Sequence, residues 1–124
     1  MRLLVDTHAA LWLLSNDDRL SQSARQLLFA KENECVLSSA SVWEVAIKRS
    51  LGKLKAPADF HTQMQRHGFA GLPVYDHHAA MVAELPLHHR DPFDRLLVAQ
   101  AIIEGMSILS ADPLLRAYEV SVVW

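Results

Sequence analysis

Residues 91–112 read DPFDRLLVAQAIIEGMSILSAD, a helix pattern followed at once by a strand pattern. Asp91 and Pro92 predict the start of the helix, because aspartate caps free backbone amides and proline suits the first helical position. Gly105 ends the helix, and the apolar run Ser107–Ser110 follows as a strand. Short strands that are continuously apolar are typical of parallel sheets covered by helices on both faces. This stretch therefore predicts an α/β protein.

The same alternation continues through the rest of the chain. Four more strands are predicted, at Arg2–Val5, Cys35–Ser38, Gly71–Val74 and Glu119–Val123. Helical patterns separate them, with expected starts at Asp6 or Thr7, Ser21, Ser39 or Ser41, Pro57 and Asp76. Strands that alternate with helices imply right-handed crossovers and a parallel sheet. We therefore expect one domain over residues 1–124, with three layers, α/β/α, and a central parallel sheet of about five strands.

The composition is that of an ordinary globular domain. The 124 residues are 51% hydrophobic and 21% charged, with a formal net charge of −2. This charge gives no general attraction to nucleic acid, so a polyanion would have to be held by local cations or metal ions. Cys35 is the only cysteine, and we expect it to be a buried thiol in a reducing compartment. The N-terminus has no signal-peptide layout and Asp6 interrupts its apolar run, so we expect a cytoplasmic protein without membrane association.

Four acidic residues occupy similar positions in separate parts of the chain. Asp6 and Asp112 follow predicted strands, while Glu44 and Asp94 are expected in the first turns of helices. These positions lie along the same edge of a parallel sheet, so the four carboxylates are predicted to converge. Two carboxylates about 4 Å apart repel by roughly 4 kcal/mol at an effective dielectric near 20. A cation is needed to relieve that repulsion, and ligands that are all oxygen favour Mg²⁺ or Mn²⁺.

Local structure can also explain each acid taken singly. The local explanations are a helix cap for Asp6, Asp91 and Asp112, a favourable helix-dipole charge for Asp94, and an ion pair with Lys48 for Glu44. Capping does not require four acids from four crossovers to share one edge, so we favour the metal site. Asp91 is expected mainly as a cap, with a supporting or substrate-contacting role as the minor alternative.

Other types of site find little support in the sequence. The pairs His77-His78 and His88-His89 are not expected to place two imidazoles on one helix face, and no HExxH motif is present, so zinc is not expected. No glycine-rich phosphate loop follows a strand, and no G-x-S-x-G motif occurs. Trp12 and Trp43 lie in apolar helical stretches and are expected in the core.

Four segments, taken in order, resemble those of PIN-domain ribonucleases, and specifically VapC-type toxins of type II toxin–antitoxin systems. The segments are LLVDTH at 3–8, SSASVWEVAIK at 38–48, RDPFDRLLVAQA at 90–101 and LSAD at 109–112. The resemblance implies that Asp6, Glu44, Asp94 and Asp112 bind Mg²⁺ or Mn²⁺ and catalyse hydrolysis of RNA. It also implies that the hydroxyls of Thr7 and Ser110 support these carboxylates.

The resemblance further implies a homodimer that is inhibited by a cognate VapB-like antitoxin. A catalytically silent PIN-like module that binds RNA or protein is the main alternative. A receiver domain is disfavoured because Asp6 has no adjacent acid and no lysine follows Ser110-Ala111. A phosphatase of the Asp-x-Asp type is disfavoured because His8 occupies the position of the second aspartate.

Overall fold

One parallel sheet runs through the computed structural model, which describes residues 1–124. Its strands are β1 Arg2–Val5, β2 Glu34–Ser38, β3 Ala70–Leu72, β4 Ser107–Leu109 and β5 Val122–Val123. They lie in the order β3-β2-β1-β4-β5, and every neighbouring pair is parallel. This sheet confirms the predicted α/β fold with about five parallel strands.

Six helices surround the sheet. They are α1 Thr7–Ser15, α2 Gln22–Phe29, α3 Ser39–Ser50, α4 Phe60–Arg66, α5 Asp76–Met81 and α6 Pro92–Glu104. Two short 3-10 turns, Val82–Glu84 and Pro113–Ala117, complete the regular structure. None of the helices has the length and apolar character required to cross a bilayer.

The strands are apolar on both faces because two separate cores lie on opposite sides of the sheet. Leu3 and Val5 of β1 belong to the core that contains residues of α1, α2 and α4. Leu4, between them, belongs to the core built on α6. Alternate residues of a strand point to opposite faces, so a strand buried on both sides must be apolar throughout. Cys35 is a buried free thiol on β2, as expected.

The two edge strands are shorter than predicted. β3 covers Ala70–Leu72 instead of Gly71–Val74, and its ladder with β2 ends at the pair Ser38 and Leu72. Pro73 follows directly and has no backbone N–H with which to extend the ladder. β5 is limited to Val122–Val123, because the preceding residues form a turn in which the Val120 amide bonds to Tyr118.

The two helices that lead to the site, α1 and α3, begin within the predicted alternatives, at Thr7 and at Ser39. Asp6 caps α1, since its Oδ1 accepts a hydrogen bond from the His8 amide at 2.7 Å. Ser38 caps α3, and its hydroxyl accepts from the Ala40 amide at 3.0 Å. Glu44 is therefore the sixth residue of α3 and lies in its second turn, not in its first.

In the two helices that flank β3, the start of α4 and the cap of α5 differ from the sequence prediction, which took Asp76 as the cap of α5. α4 begins at Phe60, because Asp59 is its N-cap residue, and Pro57 lies before the helix. Tyr75, not Asp76, is the N-cap residue of α5, because the His78 side chain accepts the Tyr75 amide hydrogen at 3.1 Å.

The direction of strand order reverses at β1. From this central strand the sheet continues through β2 to β3 on one side, and through β4 to β5 on the other. The helices that follow such diverging strands leave a crevice at the C-terminal edge of the sheet, where ligands bind in open α/β folds. Asp6 follows β1 directly and Ser110 follows β4 directly. These two residues therefore lie beside the crevice.

Candidate functional site

Asp6 is held rigidly at the end of β1. Its side chain is 6% exposed, and its Oδ2 accepts a hydrogen bond from the Ser110 hydroxyl at 2.5 Å. Its Oδ1 accepts from the His8 amide, and its own amide donates to the Leu109 carbonyl at 3.0 Å. These contacts tie the carboxylate to both central strands, so its direction is set by the sheet.

Asp94 lies in the first turn of α6, inside a field of negative charge. Burial is the main cause that raises the pKa of its carboxyl to about 7; the charges of Asp91, Asp6 and Glu44 contribute to this rise, and His89 opposes it. A carboxylate responds in this way when it loses water and faces other carboxylates. The structure therefore brings Asp6, Glu44 and Asp94 within electrostatic reach of one another.

Glu44 on α3 is only 3% exposed, and its two oxygens differ. Lys48, one turn later, lies 2.5 Å from Oε2, so the ion pair considered from the sequence is present. Oε1 is buried and has no hydrogen-bond partner, the only side-chain nitrogen or oxygen in this state. An unsatisfied buried acceptor costs about 1–3 kcal/mol, and more when it is charged. The ion pair therefore accounts for only half of this carboxylate.

Asp112 begins the turn that follows β4 and is joined to Asp94 through His89. Its Oδ1 accepts from the Leu114 amide at 2.9 Å, and its Oδ2 lies 2.8 Å from His89 Nε2. The same His89 nitrogen lies 3.1 Å from Oδ2 of Asp94. Sequence reasoning missed His89. Its only signal was its position two residues before the capping Asp91.

The three residues predicted to support the site have different contacts. Asp91 is the cap of α6, with its Oδ1 accepting from the amides of Phe93 at 2.8 Å and Asp94 at 3.2 Å. Ser110 bonds to Asp6 directly. Thr7 donates to the Ser41 hydroxyl at 2.8 Å and to no carboxylate, so any support that it gives to the acids is indirect.

A surface cavity of about 440 Å³ opens beside three of the four acids. Asp6, Asp94 and Asp112 line it, whereas the buried Glu44 does not. The lining also contains His8, Trp12 and Arg19. The Arg19 guanidinium lies 5.0 Å from the centre of the Trp12 ring, close enough for a cation–π contact. The cavity is thus lined by acidic side chains together with aromatic and basic ones.

These residues fit a hard divalent cation. The four acids offer only oxygen atoms, which Mg²⁺ and Mn²⁺ prefer. The partnerless Oε1 of Glu44 and the raised pKa of Asp94 both show that local protein groups leave negative charge unneutralised. Asp6, Glu44, Asp94 and Asp112 are therefore the residues that could hold such an ion.

A second cluster contains one of the two adjacent histidine pairs, for which no zinc site was expected. The rings of His77 and His78 lie with their centroids 4.5 Å apart, next to Glu104. His78 Nδ1 accepts the Tyr75 amide hydrogen, so the ring hydrogen is on Nε2, which lies 3.0 Å from Oε2 of Glu104. A nitrogen that carries hydrogen is a donor and not a metal ligand. The cluster is explained as a structural hydrogen bond.

Trp43 was expected in the core, but its side chain is 60% exposed. It packs edge-on against Phe93, with a distance of 5.3 Å between ring centroids. The helix turns the residue next to Glu44 outward, because Glu44 and Val45 occupy the buried face of α3. The expectation for Trp43 was therefore wrong, since an apolar stretch does not show which of its members faces the sheet.

Comparisons with known proteins agree with this fold. A profile of the PIN domain family matches residues 3–120. The VapBC2 complex of Rickettsia felis bound to a promoter DNA fragment is similar, with 14% identity, a TM-score of 0.72 and coverage of 100% of this chain and 99% of that chain.

Two other solved structures show the same fold. FitAB bound to the IR36 DNA fragment has 19% identity, a TM-score of 0.65 and coverage of 99% of this chain and 94% of that chain. FitAcB from Neisseria gonorrhoeae has 17% identity, a TM-score of 0.57 and coverage of 100% and 97%. No match was found among curated protein sequences. With 118 consecutive positions, from residue 3 to residue 120, matched to the family profile, the chain belongs to the PIN domain family.

Proposed function

We propose that this PIN-domain protein is an endoribonuclease that depends on Mg²⁺ or Mn²⁺ and acts as the toxin of a toxin–antitoxin pair. The observation that carries the proposal is the set of buried, incompletely neutralised carboxylates where strand order reverses. Asp94, with its pKa raised to about 7, and Glu44, with its partnerless oxygen, lie within reach of Asp6. Such an arrangement is costly to the fold unless a cation occupies it.

The proposed ligands are Asp6, Glu44, Asp94 and Asp112. A bound divalent ion supplies activation of water and stabilisation of the leaving oxygen in phosphodiester hydrolysis. The protein's own contribution is to hold the oxygen ligands in place. Ser110 and the His8 amide fix Asp6, while Lys48 holds one oxygen of Glu44.

RNA is the proposed substrate, as the resemblance of the sequence motifs implies. The cavity beside the acids supports this proposal, because its lining also contains His8, Trp12 and Arg19. Single-stranded nucleic acids bind to combinations of cationic and aromatic side chains. With a net charge of −2, the protein has to hold a polyanion through such local groups.

A VapB-like antitoxin is the proposed inhibitor. The VapBC2 and FitAB complexes are among the similar solved structures, and the alignment with this protein covers at least 94% of the matched chain in each. A homodimer and a cytoplasmic location are also proposed, both from the resemblance of the motifs. Co-expression with a candidate antitoxin should suppress toxicity and yield a complex on size-exclusion chromatography.

Replacement of Asp6 by asparagine tests the proposed function, because it removes the charge and keeps the volume. Wild-type protein should cleave RNA with Mn²⁺ and lose this activity in EDTA. Asp6→Asn should reduce cleavage by more than roughly 100-fold. Loss of a residue that only orients a metal ligand typically costs about 10–100-fold, and Asp6 is proposed to be a ligand itself. Circular dichroism should show an intact fold.

Glu119→Gln is the matched control. Glu119 is exposed and precedes the parallel strand β5, so it lies towards the N-terminal ends of the strands, away from the site at their C-terminal ends. It should keep wild-type activity. Full cleavage by Asp6→Asn would contradict the assignment of this residue. RNA binding by wild-type protein without cleavage in Mn²⁺ would instead support the silent binding module.

A further inference from the structure

We propose that His89 is a positioning residue, whose Nε2–H spans Asp94 and Asp112 and sets the affinity of the site for a divalent cation. This inference rests on the proposed function. His89 belongs to the segment between the 3-10 turn Val82–Glu84 and α6, and its side chain is 12% exposed. The four segments that resemble PIN-domain toxins do not include His89.

The hydrogen bonds of His89 define its tautomer. Nδ1 accepts the backbone amide hydrogen of Asp91 at 3.0 Å, so this nitrogen carries no hydrogen of its own. The ring hydrogen is therefore on Nε2, which lies 2.8 Å from Oδ2 of Asp112 and 3.1 Å from Oδ2 of Asp94. In this tautomer the imidazole donates a hydrogen bond to Asp112, lies in close contact with Asp94, and is not a metal ligand.

Hydrogen bonds hold the backbone around His89 against α6, so the position of the imidazole ring is fixed. The His89 amide donates to the Tyr118 hydroxyl at 2.9 Å. Arg95, next to Asp94 on α6, donates to the same hydroxyl at 3.2 Å and to the Pro86 carbonyl at 3.0 Å. One helix therefore presents Asp94 and also secures the segment whose imidazole contacts that acid.

A bridge of this kind matters because the two acids belong to different elements. Asp94 is on α6, and Asp112 caps the turn after β4. The two like charges repel each other, and the Nε2–H group of His89, which lies within 3.1 Å of both Oδ2 atoms, offsets part of that repulsion. Partners that orient the ligands of a metal typically change metal affinity or activity by 10–100-fold when they are removed.

The test compares His89→Phe, which keeps a ring but has no donor, with His89→Gln, whose amide can donate. His88→Ala is the matched control, because this neighbouring histidine is exposed and contacts no acid of the site. Mn²⁺ binding is measured calorimetrically without RNA, and cleavage is measured separately at saturating Mn²⁺. We expect roughly 10–100-fold weaker Mn²⁺ binding for His89→Phe, partial recovery for His89→Gln and no change for His88→Ala.

A second comparison separates positioning from a general effect on the fold. In an Asp112→Asn background the loss caused by His89→Phe should shrink, because one of the two bridged carboxylates is gone. An equal loss in both backgrounds would overturn the proposal. Unchanged or tighter Mn²⁺ binding by His89→Phe would also overturn it, while wild-type cleavage leaves the proposed function intact. Absence of Mn²⁺ binding by wild-type protein would refute the proposed function itself.

Discussion

The hydroxyl of Ser110 donates to Oδ2 of Asp6 at 2.5 Å and so joins the ends of the two central strands. The same hydroxyl oxygen accepts from the Asp112 amide at 3.0 Å. One small side chain thus aligns a carboxylate that follows β1 with an acid that follows β4. Although 104 positions apart in sequence, Asp6 and Ser110 depend on each other for the geometry of the site.

Ser110→Ala should lower the free energy of unfolding by about 1.5–3 kcal/mol, the usual value of a hydrogen bond to a charged group. Mn²⁺ affinity should fall as well, because Asp6 loses the partner that fixes its Oδ2. Urea denaturation and calorimetry measure the two effects. Ser107→Ala, at the first position of β4 and only partly buried, is the control. Equal stability of the two variants would argue against a structural role for this bond.

Asp94→Asn should stabilise the metal-free protein at high pH but not at low pH. The pKa of Asp94 is raised from an ordinary 3.8 to about 7, so the folded state favours the protonated carboxyl. The destabilisation from ionising it is absent below about pH 4, grows as the pH rises towards 7 and is complete above that value. Its full size corresponds to roughly 4 kcal/mol.

Thermal melts of wild-type protein and Asp94→Asn in EDTA between pH 4 and pH 8 measure this difference. The two melting temperatures should agree near pH 4 and diverge as the pH rises. Mn²⁺ should stabilise the wild-type protein more than the variant at pH 8, because the variant lacks one ligand. A difference independent of pH would show that Asp94 does not titrate in this range.

Lys48→Met should destabilise the metal-free protein and increase its response to Mn²⁺. Removal of the ammonium leaves both oxygens of the buried Glu44 unpaired, at a cost of roughly 1–3 kcal/mol or more. A cation at the site can then compensate for the lost charge. The rise in melting temperature on adding Mn²⁺ should therefore exceed that of wild type and of Lys53→Met, an exposed control. Equal rises in all three proteins would contradict this account of Glu44.

The fold and the convergence of acids were predictable because they depend on chain-wide patterns. Apolar runs buried on both faces predicted a parallel sheet, and a parallel sheet places the residues after its strands along one edge. Asp6 and Asp112 follow β1 and β4, and these strands are neighbours. The prediction therefore needed only the type of each element and not its exact bounds.

Features that depend on single side-chain contacts were not predictable. Glu44 lies one turn deeper in α3 than expected because Ser38, on the last position of β2, also caps the helix. His89 was missed because its role depends on an amide hydrogen bond that defines its tautomer. Trp43 is exposed because small differences in helix rotation decide which apolar residue packs. None of these contacts leaves a periodic signal in the sequence.

The adjacency of β1 and β4 has a consequence for the order in which the domain folds. β1 ends at Val5, but its neighbour β4 begins only at Ser107. Asp6 therefore lacks Ser110 as a partner until a contact between residues 104 positions apart has formed. Contacts of such long sequence separation form slowly, so the proposed cleavage activity arises only when the whole domain has folded.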